Sequence, residues 1–212
     1  MRALWILALF FMVASCGTNA PSAQPNAHPG IVIHTEGPRG GGFTDATGEQ
    51  FGYGTFRVHV KNDTTVPAEL SMALPGGAHE LLPDSIVKIT AFLFPDAMVP
   101  ATARDTFNFG ISGAEDFVKS MPSGPSSLKW TLQPGEEQLL YLGVIFDPDG
   151  PHGTGRAQLF IEGQRPDTTF FPAAAIPTPS DHGADLGLLF GVAFNPPHHF
   201  VMIPCGRIVL KK

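Results

Sequence analysis

The residues best suited to chemistry lie late in the chain, in the segment "HHFVMIPCG" that contains His198, His199, Met202 and Cys205. Imidazole, thioether and thiolate groups are ligands for copper and other soft transition metals. A blue-copper site would need a His and a Met closely following the Cys, and none follows Cys205. If the segment is a loop, the four side chains can gather around a soft ion. If it is a solvated turn leading into a final strand, they cannot.

Two acidic groups are weaker candidates for a cation site. Asp147, Asp149 and His152 lie close together, and oxygen ligands two residues apart are how a calcium loop begins. Pro148 between the two acids, and the lack of a third carboxylate, break that pattern, so a simple turn is predicted. The segment Asp181–Asp185 ("DHGAD") forms a similar group with the same interpretation.

Motifs of the common enzyme classes are absent from the sequence. There is no Gly-x-Ser-x-Gly nucleophile elbow and no Cys-x-x-Cys-His haem attachment. The stretch Gly37–Gly42 ("GPRGGG") lacks the Gly-Lys-Ser/Thr of a phosphate loop and is predicted to be a flexible lead into a strand. Glu136 and Glu137 alternate at a strand start and therefore point apart. We predict a non-catalytic protein without a bound cofactor.

The chain start has the form of an export signal. Arg2 precedes an unbroken apolar run, residues 3–13, which is too short to span a bilayer. The residues that follow, Val13-Ala14-Ser15-Cys16, resemble the lipobox of bacterial lipoproteins, in which cleavage occurs just before the cysteine. The resemblance implies that residues 1–15 are a signal peptide and that Cys16 carries a covalent lipid anchoring the protein to a membrane.

The residues after Cys16 indicate how the folded part is tethered. Residues 16–30 carry no charge and consist mainly of Gly, Pro, Ala, Ser and Asn, which predicts a flexible stalk. Gly17 stands where a retention signal such as Asp could have been, which favours the outer membrane of the bacterial cell envelope.

Composition favours one β-rich domain over residues 31–212. Charged residues make up 15% of the chain and the formal net charge is −6, so there is no basic face for nucleic acid. The 24 glycines and 21 prolines fit short strands joined by turns better than a helical bundle.

Alternating apolar residues predict eight or nine strands. "GTFRVHVKND" from Gly54 and "AELSMAL" are predicted to pair with each other, and Leu128–Leu132 is predicted to form a hairpin with "EQLLYLGVIF" through a type II turn at Pro134-Gly135. Ser112 and Glu115 have the spacing of a capping box for one short helix. Residues 130–163 resemble the middle of bacterial immunoglobulin-like modules. The fold class predicted is an all-β, antiparallel, immunoglobulin-like sandwich with one short connecting helix.

Aromatic residues suggest where a partner could bind. The chain has 17 phenylalanines against two tyrosines and two tryptophans, which favours a packed core or a protein interface over a sugar-binding platform. Phe170, Phe171 and Phe200 lie in segments rich in proline that are predicted to be loops, and they are predicted to form a docking patch. The leading hypothesis is an accessory or scaffold subunit of an envelope assembly with a protein partner. The alternative is a periplasmic metal-binding protein of the copper type that uses the His198 to Cys205 segment.

Overall fold

The structure is a computed structural model that describes residues 30–81, 87–121, 124–147, 154–164, 169–172, 175, 184–195 and 199–211. Cys16, the signal peptide and nearly all of the stalk lie outside these residues. The described elements are, in chain order, β1 (Ile31–Thr44), β2 (Gln50–Asn62), β3 (Ala68–Leu74), β4 (Ala78–Glu80), β5 (Lys88–Leu93), α1 (Ala114–Lys119), β6 (Ser126–Leu132), β7 (Glu137–Phe146), β8 (Thr154–Ile161), β9 (Asp185–Asn195) and β10 (His199–Leu210).

The strands form two five-stranded antiparallel sheets. Sheet A has the order β1-β2-β7-β5-β4, and sheet B has the order β6-β3-β10-β9-β8. The predicted all-β antiparallel sandwich with one short helix is thereby confirmed. None of the helices in the described ranges has the length and apolar character needed to cross a membrane.

The main core lies between the sheets and follows from the period of two along each strand. On β2, Phe56, Val58 and Val60 point inward and are almost completely buried, whereas the residues between them lie on the outer face. Leu70 and Met72 of β3 meet them from sheet B. The alternation read from the sequence therefore assigned the buried face correctly.

Two predicted strand pairings are wrong, because both connections change sheet. β2 lies in sheet A and β3 in sheet B, and β6 and β7 are divided in the same way. The turn at Pro134-Gly135 has the expected form, since Gly135 has a φ of 80° and the Glu136 N–H donates to Gln133 O. It joins the two layers of the sandwich instead of closing a hairpin.

The stretch Gly37–Gly42 is part of a strand and not a lead into one. It belongs to β1, which pairs with β2 along most of its length, with an irregularity in register between Glu36 and Arg39. A Cβ on Gly40 would lie 2.0 Å from the backbone oxygen of Tyr53, so this close approach requires glycine.

The predicted capping box is also wrong. α1 begins after Gly113, which has a left-handed conformation, and no side chain caps the helix. α1 and the 3₁₀ turn Phe107–Gly110 cover the outer face of sheet A, where a second apolar cluster forms around Tyr53, Phe92 and Tyr141.

Candidate functional site

The structure describes three of the four predicted metal ligands, His199, Met202 and Cys205, and does not bring these three together. His198 lies outside the described residues, and His199 is the first residue of β10 and is 9% exposed. Met202 packs on the outer face of sheet B, whereas Cys205 points into the core between the sheets. Because His199 to Cys205 form a strand instead of a loop, the soft ligands Met202 and Cys205 are on opposite faces.

Burial also makes the Cys205 thiol a poor metal ligand. It raises the pKa of that thiol to about 12, so the thiolate that a soft metal requires is not formed near neutral pH. Within the described ranges, no group of three or more His, Cys, Asp or Glu side chains is arranged to hold a metal ion. Of the two acidic groups, only Asp147 and Asp185 are described, and Asp185 pairs with Arg207 at 3.2 Å.

The three predicted docking phenylalanines lie in one place. Phe171 is 2% exposed and packs against Phe160 at the centre of a small cluster on the outer face of sheet B. Phe170 and Phe200 are partly buried against the same cluster. Phe171 therefore supports the patch from below, while Phe170 remains accessible.

Phe170 lines a polar groove on the described surface, which we call the edge groove. It is a groove of about 410 Å³ between the β1 edge of sheet A and the β8 edge of sheet B. Its lining combines both signs of charge, an amide and aromatic rings, and includes His34, Thr35, Glu36, Arg156, Gln158, Phe170 and Phe171.

The two edge strands are held beside each other by a side chain of β1. The backbone N–H of Leu159 on β8 donates to Thr35 Oγ1 on β1 at 3.2 Å. On the β8 side, the Arg156 guanidinium lies over the Phe170 ring, 5.2 Å from its centre. The groove is thus fixed by strands on both sides, and its one exposed cation is supported by an aromatic ring.

A row of charged residues backs the groove on the outer face of sheet A. His34 is directly opposite His59 across the β1–β2 pair, and Glu36 is opposite Arg57. Glu36 Oε1 lies 3.8 Å from His34 Nε2 and 3.4 Å from His59 Nε2. Residues two apart on paired strands share one face, so this row follows from the pleat.

Arg57 anchors that row. Its side chain is 7% exposed and forms ion pairs with Glu36 and with Asp105, the second at 2.9 Å. The burial of Arg57 opposes its charge, but the hydrogen bonds to the two carboxylates prevail and raise its pKa. The Phe109 ring lies between Arg57 and Arg39, whose guanidinium carbons are 4.8 and 4.6 Å from the ring centre.

The loop that supplies Phe109 has an unusual backbone. Asn108 and Phe109 have φ values of 52° and 54°, in the left-handed region that residues other than glycine seldom adopt. Asn108 Nδ2 donates to the Tyr53 hydroxyl at 2.9 Å. These contacts hold the loop against sheet A and keep Asp105 beside Arg57.

His59 lies between two carboxylates. Its Nδ1 is 2.6 Å from Glu137 Oε1 on β7, while its Nε2 faces Glu36 without a hydrogen bond. This arrangement fixes the orientation of the imidazole ring and of Glu36. The charged wall of the groove is therefore held in one arrangement by contacts within the protein.

Sequence reasoning missed the groove, although a signal for its charged wall was present. "HTE" at 34–36 and "RVH" at 57–59 each place two ionisable residues two positions apart, which predicts a shared face if the segments pair. No pattern in the sequence relates β1 to β8.

No known protein family matches the chain, and no curated protein is similar to it in sequence.

Proposed function

We propose that this chain is a lipid-anchored protein of the bacterial cell envelope, held at the outer membrane through Cys16, that acts as a non-catalytic binding subunit of an envelope assembly. The anchor rests on the sequence Val13-Ala14-Ser15-Cys16 and the apolar run before it. The partner-binding role rests on the edge groove.

The groove supports binding of a partner protein through its chemistry. Arg and aromatic residues are enriched among the residues that carry most of the binding energy at protein interfaces, and here Arg156 and Phe170 form one unit. Glu36 and His34 on the opposite wall offer acceptors and a second titratable group. A suitable ligand is a protein segment that carries an acidic side chain, a basic side chain and an apolar side chain.

The position of the groove agrees with a tethered subunit. His34 lies three residues after the start of β1, about 10 Å along the strand from the point where the stalk joins the fold. The stalk predicted for residues 16–30 would have a mean end-to-end distance of about 20 Å. The groove would thus face a partner close to the membrane.

A non-catalytic role is supported by the surroundings of two side chains in the described residues, Cys205 and His59. The Cys205 thiol is 1% exposed and protonated, so it is no nucleophile. His59 faces a carboxylate at each ring nitrogen, so both nitrogens are directed at groups of the charged wall.

The anchor is tested by replacing Cys16 with Ser in the full chain, expressed in a bacterium that lipidates its own lipoproteins. We expect the wild-type protein in the membrane fraction, with an N-terminal peptide heavier by the mass of its acyl groups. The Cys16→Ser protein should lack both properties. An unmodified Cys16 in the wild-type protein would contradict the anchor.

The binding role is tested by a photo-crosslinking amino acid at Gln158 in the groove, with the same amino acid at Lys129 as the matched control. Lys129 is exposed on β6, at the opposite edge of sheet B. We expect irradiation of intact cells to give one defined envelope adduct from position 158 only. The double variant Arg156→Ala, Phe170→Ala should reduce that adduct about tenfold, in line with the loss of a central Arg–aromatic unit. Equal adducts from both positions, or none, would argue against the groove.

A further inference from the structure

A second concave site lies at the other side of sheet A from the edge groove. It is a pocket of about 470 Å³ between β5, α1 and the segment that leads into β6. In sheet A, β1 and β4 are the two edges, so the pocket beside β4 and β5 is separated from the groove by β2 and β7.

The pocket exists because β4 is short. β4 pairs only with residues 88–90 of β5, so Ala91–Leu93 have a partner strand on the β7 side alone. α1 covers the outer face of this part of β5, and the rim is kept free of side chains by Gly77 and Gly124. A Cβ on either glycine would meet no atom within 4 Å.

The chemistry of the wall is apolar. The walls are formed by Phe92, Leu93, Phe117, Val118, Met121 and Ile145, and none of the described residues that line the pocket has a charged side chain. The hydroxyls of Thr90 and Ser126 are its polar side-chain groups, and Ser126 Oγ already accepts a hydrogen bond from the Leu93 N–H at 2.9 Å. The pocket thus offers a large apolar surface and few polar contacts.

We propose that this pocket binds an uncharged, largely apolar small molecule. Its volume is within the range of about 300 to 1,000 Å³ that is typical of small-molecule sites, and apolar walls with few polar groups are their usual composition. A charged ligand group placed in it would lose hydration without gaining a partner, which excludes ions and strongly polar molecules. The site is independent of the edge groove and of the lipid anchor.

The test is a fluorescence titration with two matched probes. N-phenyl-1-naphthylamine is uncharged, whereas 8-anilinonaphthalene-1-sulfonate has a similar ring system and a negative charge. The protein is residues 16–212 with Cys16→Ser, so that no attached acyl chain competes. We expect saturable binding of one uncharged probe molecule per chain in the micromolar range, with the sulfonate binding at least tenfold more weakly.

The variant Met121→Gln makes the wall polar at nearly constant size and should weaken binding of the uncharged probe at least fivefold. Met202→Gln is the matched control, since Met202 lies on the outer face of sheet B. It should leave binding unchanged. Thermal unfolding checks that both variants are folded. If Met121→Gln is not folded, Thr90→Val is used in its place, and we expect it to raise the affinity for the uncharged probe two- to threefold.

The proposal is overturned if the uncharged probe shows no saturable binding, if the two probes bind equally well, or if Met202→Gln weakens binding as much as Met121→Gln. None of these results would bear on whether Cys16 is lipidated or the groove holds a partner.

Discussion

Cys205 is buried in the core between the sheets, and burial raises the pKa of its thiol to about 12 from an ordinary value of 9.0. In the unfolded chain the thiol meets water and regains its ordinary pKa. Because the folded value is the higher one, the stability that this group contributes is complete below pH 9 and is lost as the pH rises from 9 towards 12.

We therefore expect Cys205 to make the free energy of unfolding fall more steeply as the pH rises above 9. Between pH 8 and pH 10 the wild-type free energy of unfolding should fall by about 1.4 kcal/mol more than that of Cys205→Ala, since pH 10 is one unit above the unfolded pKa. Urea unfolding of both proteins at the two pH values measures the difference. Other groups that titrate in this range are common to both proteins and cancel in the comparison, so equal pH dependence would contradict the prediction.

How much of the residue-scale chemistry could be predicted depends on whether it is local in sequence. The paired faces of His34 and Glu36 with Arg57 and His59 follow from spacing once β1 and β2 are known to pair. The separation of Met202 from Cys205 needed the knowledge that their segment is a strand. The approach of Arg156 to Phe170 joins β8 to the long connection that follows it, and no local pattern encodes it.

Asn62 holds connections between strands in place and is not among the residues that line the groove or the pocket. It is fully buried at the end of β2, and its Nδ2 donates to Val66 O at 2.9 Å and to Leu132 O at 3.0 Å. Its Oδ1 accepts from the backbone N–H and the hydroxyl of Thr64. One side chain thus ties together two of the connections that pass between sheet A and sheet B, from β2 to β3 and from β6 to β7.

Replacing this residue should weaken the whole sandwich. We expect Asn62→Ala to lower the free energy of unfolding by about 3 kcal/mol, because it removes four hydrogen bonds and leaves the buried Leu132 carbonyl without this donor. Thr131→Ala, at an exposed position on β6, is the control and should change it by less than about 0.5 kcal/mol. Chemical denaturation followed by the fluorescence of Trp130 gives both values. A loss below 1 kcal/mol for Asn62→Ala would show that the two connections do not depend on this residue.

At the scale of elements, the sequence predicted strands better than their partners. The bounds of β3 and β7 agree with the apolar alternation at both ends, because each strand has one buried face and a clear turn beside it. Whether two neighbouring strands form a hairpin or cross between layers is decided by packing and by Asn62. β1 was missed because its glycines carry no side chains to show a period, although backbone pairing with β2 extends through them.

The whole molecule presents two different surfaces at the two sides of sheet A. The edge groove is polar and open and suits a partner chain, whereas the pocket beside β5 is apolar and suits a small molecule. The groove runs along the β1 and β8 edges and the pocket lies beside β5, so both surfaces are at the margins of the sandwich.

The sandwich as a whole depends on β10, which lies between β3 and β9 in the centre of sheet B. We expect a chain ending at residue 198 to lose cooperative unfolding and near-ultraviolet circular dichroism, because β3–β6 and β8–β9 would be left as two separate pairs. A chain lacking only Lys212 is the control and should unfold as the wild type does. A cooperative unfolding transition in the chain that ends at residue 198 would contradict this dependence on β10.

The central position of β10 also determines when sheet B can form, because β10 follows the other strands of that sheet in the chain. A chain that is threaded through a membrane from its N-terminus releases β3, β6, β8 and β9 before β10, so the two halves of sheet B remain unjoined until residues 199–210 have passed. If the protein is exported as we propose, sheet B is completed only after this last strand has crossed the membrane.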